Sequence, residues 1–161
     1  MIPEPPLERH EPEHESPDDS APEREAAERD FNDLLAEVLP FVREMLESIG
    51  DVMPYAIVVT IEGAIDTIGG EIVRRRRRPD PDRMRETLVN ELRAKADDLR
   101  AVGFVHDLQT EGIRAILVEF EHRDGTSLSA WIPYVKKRRR GPVVFGELQA
   151  SDGHPKLWAP G

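Results

Sequence analysis

The chain has 161 residues, of which 34% are charged and 39% hydrophobic, with no cysteine and a formal net charge of −10. That length suits one domain with a real core, and the missing cysteine excludes disulfides, thiolate metal sites and a cysteine nucleophile. No apolar run approaches the roughly 18–20 residues needed to cross a bilayer.

The charge is unevenly spread. Residues 1–30, "MIPEPPLERHEPEHESPDDSAPEREAAERD", hold eleven acidic and three basic side chains, a net of −8, while residues 31–161 hold 21 acidic and 19 basic, a net of −2. The same first stretch carries six of the fourteen prolines, with Ile2 and Leu7 as its large aliphatic side chains. It cannot bury enough apolar surface to offset the entropy of being ordered. Residues 1–22 are therefore expected to be a disordered acidic tail and residues 23–161 a single domain. The start lacks the basic and apolar regions of a secretory signal, so a cytoplasmic protein is expected.

"RDFNDLLAEVLPFVREMLESIG" places Phe31, Leu34, Leu35, Val38, Phe41, Val42, Met45, Leu46 and Ile49 at helical spacing, with Gly50 placed to end the helix. Pro40 inside the pattern predicts a kink or a break, and the charged residues from Glu23 to Arg29 can extend the first turns. In "PYAIVVTIEGAI" both alternating sets are mostly apolar, which predicts a strand covered on both faces. Glu62–Gly63 suits a reversal into a second strand near residues 64–73, with a bulge at Gly69–Gly70. Arg74, Arg75, Arg76, Arg77 and Arg78 follow it. Asp80 and Pro81 open a second helix as N-cap and first helical residue; Met84, Leu88, Leu92, Ala96 and Leu99 form its apolar stripe, and Gly103 is expected to close it. "GFVHDLQT" is expected to be a short strand. "IRAILVEFEHR" and "TSLSAWIPYVKK" form a hairpin across Asp124–Gly125. Pro133, which cannot donate to a ladder, predicts an edge or a strand end there. "GPVVFGEL" reads as the last strand and "QASDGHPKLWAPG" as a tail anchored by Trp158.

The expected fold is α+β: helix, two strands, helix, three strands, with a mainly antiparallel five-stranded sheet and two helices. Strand directions in that arrangement put the loops carrying Arg74–Arg78 and Lys136, Lys137, Arg138, Arg139 and Arg140 at opposite ends of the sheet.

These two basic runs are the loudest chemical feature. Arginine offers bidentate donors and a permanent charge for phosphates. A charge run beside a strand is more commonly a solvated loop that keeps strand edges from self-pairing. The near-neutral domain, the expected separation of the runs and the absence of interleaved aromatics favour the second reading, and the acidic tail offers a third role as an internal screen for one run. His106 and His122, with Glu119 or Glu121, contain the residue types of a two-histidine, one-carboxylate metal site. Strand alternation, however, points both glutamates away from His122, and next to a hairpin they are expected to face solvent. Nucleophile-elbow, phosphate-loop and dinucleotide-loop motifs are missing. No catalytic residue, metal or cofactor is expected on these grounds.

Pro54, Tyr55, Glu62, Gly63, His122, Arg123, Asp124, Gly125, Pro133, Tyr134, Phe145, Gly146 and Glu147 form a set of turn and strand motifs: a Pro-aromatic pair, an E-G turn, an H-R-D-G hairpin, a P-Y strand end and an F-G-E strand. On these motifs residues 31–158 resemble a group of small bacterial proteins to which no reaction is assigned. The element order also resembles roadblock-type and profilin-like domains, an analogy that implies a non-enzymatic adaptor. The expectation is a protein–protein interaction module, an adaptor or immunity-type inhibitor, binding another protein or a second copy. A nucleic-acid-associated factor using the two basic loops is the alternative, and a metal-dependent enzyme at His106 and His122 the weaker one. No membrane association is expected.

Overall fold

A computed structural model describes residues 21–69 and 80–158. Helix α1 spans Ala21–Ser48 and buries Phe31, Leu34, Val38, Val42, Met45 and Leu46 along one stripe. It runs through Pro40 as one helix, so of the expected kink or break the break does not occur. Pro40 and Ala36 are both exposed, so the carbonyl that loses its intrahelical donor is left to water. Gly50, at φ +88°, closes the helix as expected, with the N–H groups of Ile49 and Gly50 both donating to the Met45 carbonyl.

Strand β1, Tyr55–Thr60, is buried on both faces and turns at Gly63 into β2, Ile65–Gly69. Asp80 caps α2, Pro81–Ala94, by accepting from the Asp82 N–H at 3.1 Å. This helix ends earlier than the stripe predicts. Lys95 and a short 3-10 turn, Ala96–Asp98, lead directly into β3, Leu99–Thr110. Gly103 is therefore a mid-strand residue and not a helix stop. A β-carbon there would lie 3.3 Å from Ile57 and from the Phe120 ring, so a side chain would force those neighbours to give way.

The remaining strands are β4, Ile113–His122, β5, Ser127–Lys136, β6, Val143–Phe145, and β7, Gln149–Asp152. They build one antiparallel sheet in the order β2-β1-β3-β4-β5-β6, with β7 also paired to β5. The five-stranded expectation is thus corrected to seven. Of the two added strands, β6 falls in "GPVVFGEL", read as a strand but left out of the count of five, and β7 comes from the segment read as a tail; both pair with β5. Between them the register slips by one residue, beside Pro133, whose carbonyl accepts the Gly146 N–H at 2.7 Å. The missing proline donor falls at this discontinuity, as its chemistry demands.

Because β2 and β3 both pair antiparallel to β1, and β4 separates β3 from β5, strands β2, β3 and β5 all point the same way. The chain thus leaves β2 at Gly69 and β5 at Lys136 at one end of the sheet, correcting the expected opposite placement. Arg74–Arg78 themselves lie outside the described residues.

Helix α1 covers one face, over Tyr55, Ile57, Val105, Ile116, Val118 and Phe120. Helix α2 covers β1 and β3 on the other face, over Ala56, Val58, Val102 and Phe104. No helix among the described residues is long and apolar enough to cross a membrane.

Candidate functional site

At the β4–β5 turn the structure gathers opposite charges. Asp30 of α1 is buried and faces Arg100 of β3, whose Nε and Nη2 each donate to its carboxylate at 2.9 Å. The same carboxylate lies 3.0 Å from His122 Nε2. His122 Nδ1 lies 3.2 Å from both the Asp124 N–H and the Asp124 carboxylate, so the ring is flanked by Asp30 on Nε2 and by Asp124 on Nδ1. Burial pushes the Asp30 carboxyl up, but Arg100 and then His122 outweigh it and hold it below the ordinary carboxylate range. Gly125, at φ +98°, lets this turn close, with its N–H on the His122 carbonyl. This cluster ties helix to sheet and is sealed: the side chains of Asp30 and His122 are only 8% and 7% exposed. The sequence carried a signal for it, since Asp30 sits at a position of the apolar stripe where a charge is out of place.

His106 lies on the opposite face of the sheet from His122, because β3 alternates Val102, Phe104 and His106 toward α2. A site using both histidines is therefore not formed, and among the described residues no group of histidine, aspartate and glutamate is arranged to hold a metal. His106 lines an open cleft of about 520 Å³ with Asp51, Asp80, Arg85 and Gln109. Arg85 lies 3.3 Å from its Nδ1 and also pairs with Asp82. Glu119 is 4.0 Å away, an ion-pair distance beyond hydrogen-bond reach, and is bound by the Lys156 ammonium. His106 and then Lys156 hold the Glu119 carboxyl down at about 2 against its burial.

Glu121 is buried too, correcting its expected exposure. Its carboxylate accepts the backbone N–H groups of Lys156 at 2.8 Å, Leu157 at 2.8 Å and Trp158 at 2.6 Å. Three convergent amides on one carboxylate give a charge-assisted clamp, and this clamp, in addition to the Trp158 ring, fastens the C-terminal segment over the sheet.

The second end of the sheet is basic. Arg114, Lys136, Lys137, Arg138 and Arg139 line one open cleft of about 470 Å³ together with Gly50, Asp51 and Gln109. Lys136 donates to the carbonyls of Leu46 and Arg139. The last turn of α1 has no basic residue of its own, so Lys136 supplies the cation that its carbonyl end favours. Burial, and then the neighbouring Arg114 charge, press the Lys136 ammonium pKa below its usual value. Arg114 lies over the Tyr134 ring at 5.1 Å. Burial, and then the bond its hydroxyl donates to Asp107 at 2.8 Å, raise the Tyr134 pKa above the ordinary phenol value.

The motif positions serve turns and packing. Pro54 and Tyr55 are buried at the start of β1, with Phe41 edge-on to the Tyr55 ring at 5.0 Å. Arg123 is exposed and donates its backbone N–H to the Arg100 carbonyl at 3.0 Å. Phe145 lies under the Arg43 guanidinium at 4.9 Å, and Glu147 is exposed.

On the α2 side of the sheet, β5 and β6 carry an uncovered apolar ladder. Val135 and Val144 are cross-strand partners, 64% and 67% exposed, and Ile113 at the start of β4 is 49% exposed. Comparison of the chain with protein-family models, with curated proteins and with solved structures finds no match.

Proposed function

We propose that the protein is a protein-binding module that engages a partner segment of mixed apolar and acidic character. The observation that carries this reading is the Val135–Val144–Ile113 ladder, which follows directly into the exposed cations Lys137, Arg138 and Arg140. Branched aliphatic side chains left in water on adjacent strands favour burial against a partner, and the cations beside them select a partner rim of opposite sign.

A photo-cross-linking side chain placed at Val144 in the full chain is expected to give a discrete adduct with another protein in the source cell's extract. That adduct should vanish on Val135→Asp while thermal stability is unchanged. A probe at Ile65, on the far edge strand, should not give it. Adducts of the same yield at both positions, or adduct formation indifferent to Val135→Asp, overturn the proposal. An adduct of the chain with itself, matched by dimer mass in light scattering, identifies the partner as a second copy.

The common direction of β2 and β5 supports a second reading, nucleic-acid binding, because the strands that precede the two basic runs in the sequence both end at one end of the sheet. Fluorescence anisotropy with duplex DNA and single-stranded RNA at about 50 mM salt tests it, since phosphate contacts give a steep loss of affinity with added salt. Absence of binding there, with and without residues 1–20, eliminates this second reading.

A further inference from the structure

The Lys136–Arg139 turn is built unlike a loop whose charges merely solvate it. Its backbone is drawn onto the end of α1 by Lys136, which bridges the Leu46 and Arg139 carbonyls. Gly50 permits that approach: a β-carbon there would lie 2.7 Å from the Arg139 oxygen and 2.8 Å from its side chain, and φ is +88°. The turn is thus held in place before any ligand arrives, so part of the ordering entropy is already spent.

What the turn holds together is a group of like charges. Arg114, Lys136, Lys137, Arg138 and Arg139 face one cleft, against the single carboxylate of Asp51 on its lining. Two further carboxylates act on Lys136: Glu47 accepts the Val143 N–H at 2.8 Å and pairs with Arg43 at 3.6 Å, and Asp107 is engaged by the Tyr134 hydroxyl at 2.8 Å and by Gln109 Nε2 at 3.0 Å. Arg114 Nε is buried with no hydrogen-bond partner among the described residues. That nitrogen is shut off from solvent, so whatever Arg114 offers to a ligand comes from the rest of its guanidinium on the cleft lining.

We infer that this cleft is a preformed site for a compact phosphoryl dianion, the phosphate or diphosphate end of a small molecule, with Arg114 and Arg139 as its main donors. A concave pocket whose cations converge suits a dianion better than the singly charged, evenly spaced phosphates of a nucleic-acid backbone. The site uses residues other than the apolar ladder and does not depend on the protein-binding reading.

Titration calorimetry of the full chain with inorganic phosphate and with pyrophosphate, in chloride buffer of matched ionic strength, tests the inference. Saturable one-to-one binding is expected, tighter for pyrophosphate. Loss of one charge-assisted contact should weaken it about tenfold in Arg114→Gln and in Arg139→Gln. Arg123→Gln, at the far end of the sheet, should leave it unchanged. Because Arg139 is exposed, its variant keeps the test decisive even where Arg114→Gln loses the fold. Absence of saturation, equal weakening by Arg123→Gln, or binding of duplex DNA that pyrophosphate does not displace would each overturn the assignment.

Discussion

The two ends of the sheet handle charge in opposite ways. At the β4–β5 turn, Asp30, Arg100, His122 and Asp124 are matched with one another, and Asp30 and His122 are almost wholly out of water. At the other end, Arg114 and the Lys136–Arg139 turn bring cations together around a cleft that stays open to solvent. Matched charges in a buried place hold α1 to the sheet. Under the proposal above, the cations in the open place serve a ligand from outside the molecule. The contrast predicts that substitutions at the first end mainly change stability, and that substitutions at the second mainly change binding.

The largest effect is expected from Asp30→Asn, which removes the buried charge and leaves Arg100 and His122 to share one neutral amide oxygen. Because Arg100 is 38% exposed and water can replace part of the loss, the cost should be about 2 kcal/mol and not the full penalty of a broken buried pair. Urea denaturation at neutral pH measures it; an unchanged midpoint would mean that the cluster is solvated and the comparison fails.

Acid should separate the ends next. Asp30 and Glu119 both have folded-state pKa values below their ordinary ones. The stability they confer is complete above the unfolded carboxyl range, near pH ~4, and is lost as pH falls through the folded values. Denaturation midpoints are expected to drop between about pH 4 and pH 2, with a shallower drop in Asp30→Asn.

Lys136→Met should cost about 1 kcal/mol, since it removes a cation from the α1 carbonyl end, and it should also release the turn and weaken pyrophosphate binding. The smallest stability effect is expected from Arg139→Gln. It should stay within about 0.5 kcal/mol, raising the melting temperature slightly at low salt and not at all at ~1 M, where mutual repulsion is screened. A clear destabilisation would show that the cations are structural and would remove the contrast between the ends.

Much of the fold was legible because hydrophobic period is local. The α1 stripe, the doubly buried β1, the Asp80 cap and the glycines at 50, 63 and 125 all follow from sequence neighbours. The misreadings share a different cause. Ala96, Leu99 and Gly103 satisfy a helical stripe and its terminator, yet Ala96 falls in the 3-10 turn and pairing with β1 and β4 claims the chain from Leu99 onward for β3. Gln149–Asp152 carries no apolar alternation, and only the open flank of β5 makes it a strand. For the site, Lys136–Arg140 was visible as a run of charge. Arg114, 22 residues earlier, was not, because nothing local relates it to that run; the β4–β5 register does.

The sequence by itself determined an α+β chain with an acidic leading segment, two amphipathic helices and strands punctuated by glycine turns, since each of these depends on residues a few positions apart. Tertiary structure alone decided the direction shared by β2 and β5, the burial of Asp30 against Arg100 and His122, the clamp of Glu121 on the C-terminal segment, and the gathering of cations around one cleft. These are contacts between residues tens of positions apart, and only the pairing of strands and the docking of helices, driven by burial of apolar surface, brings them together.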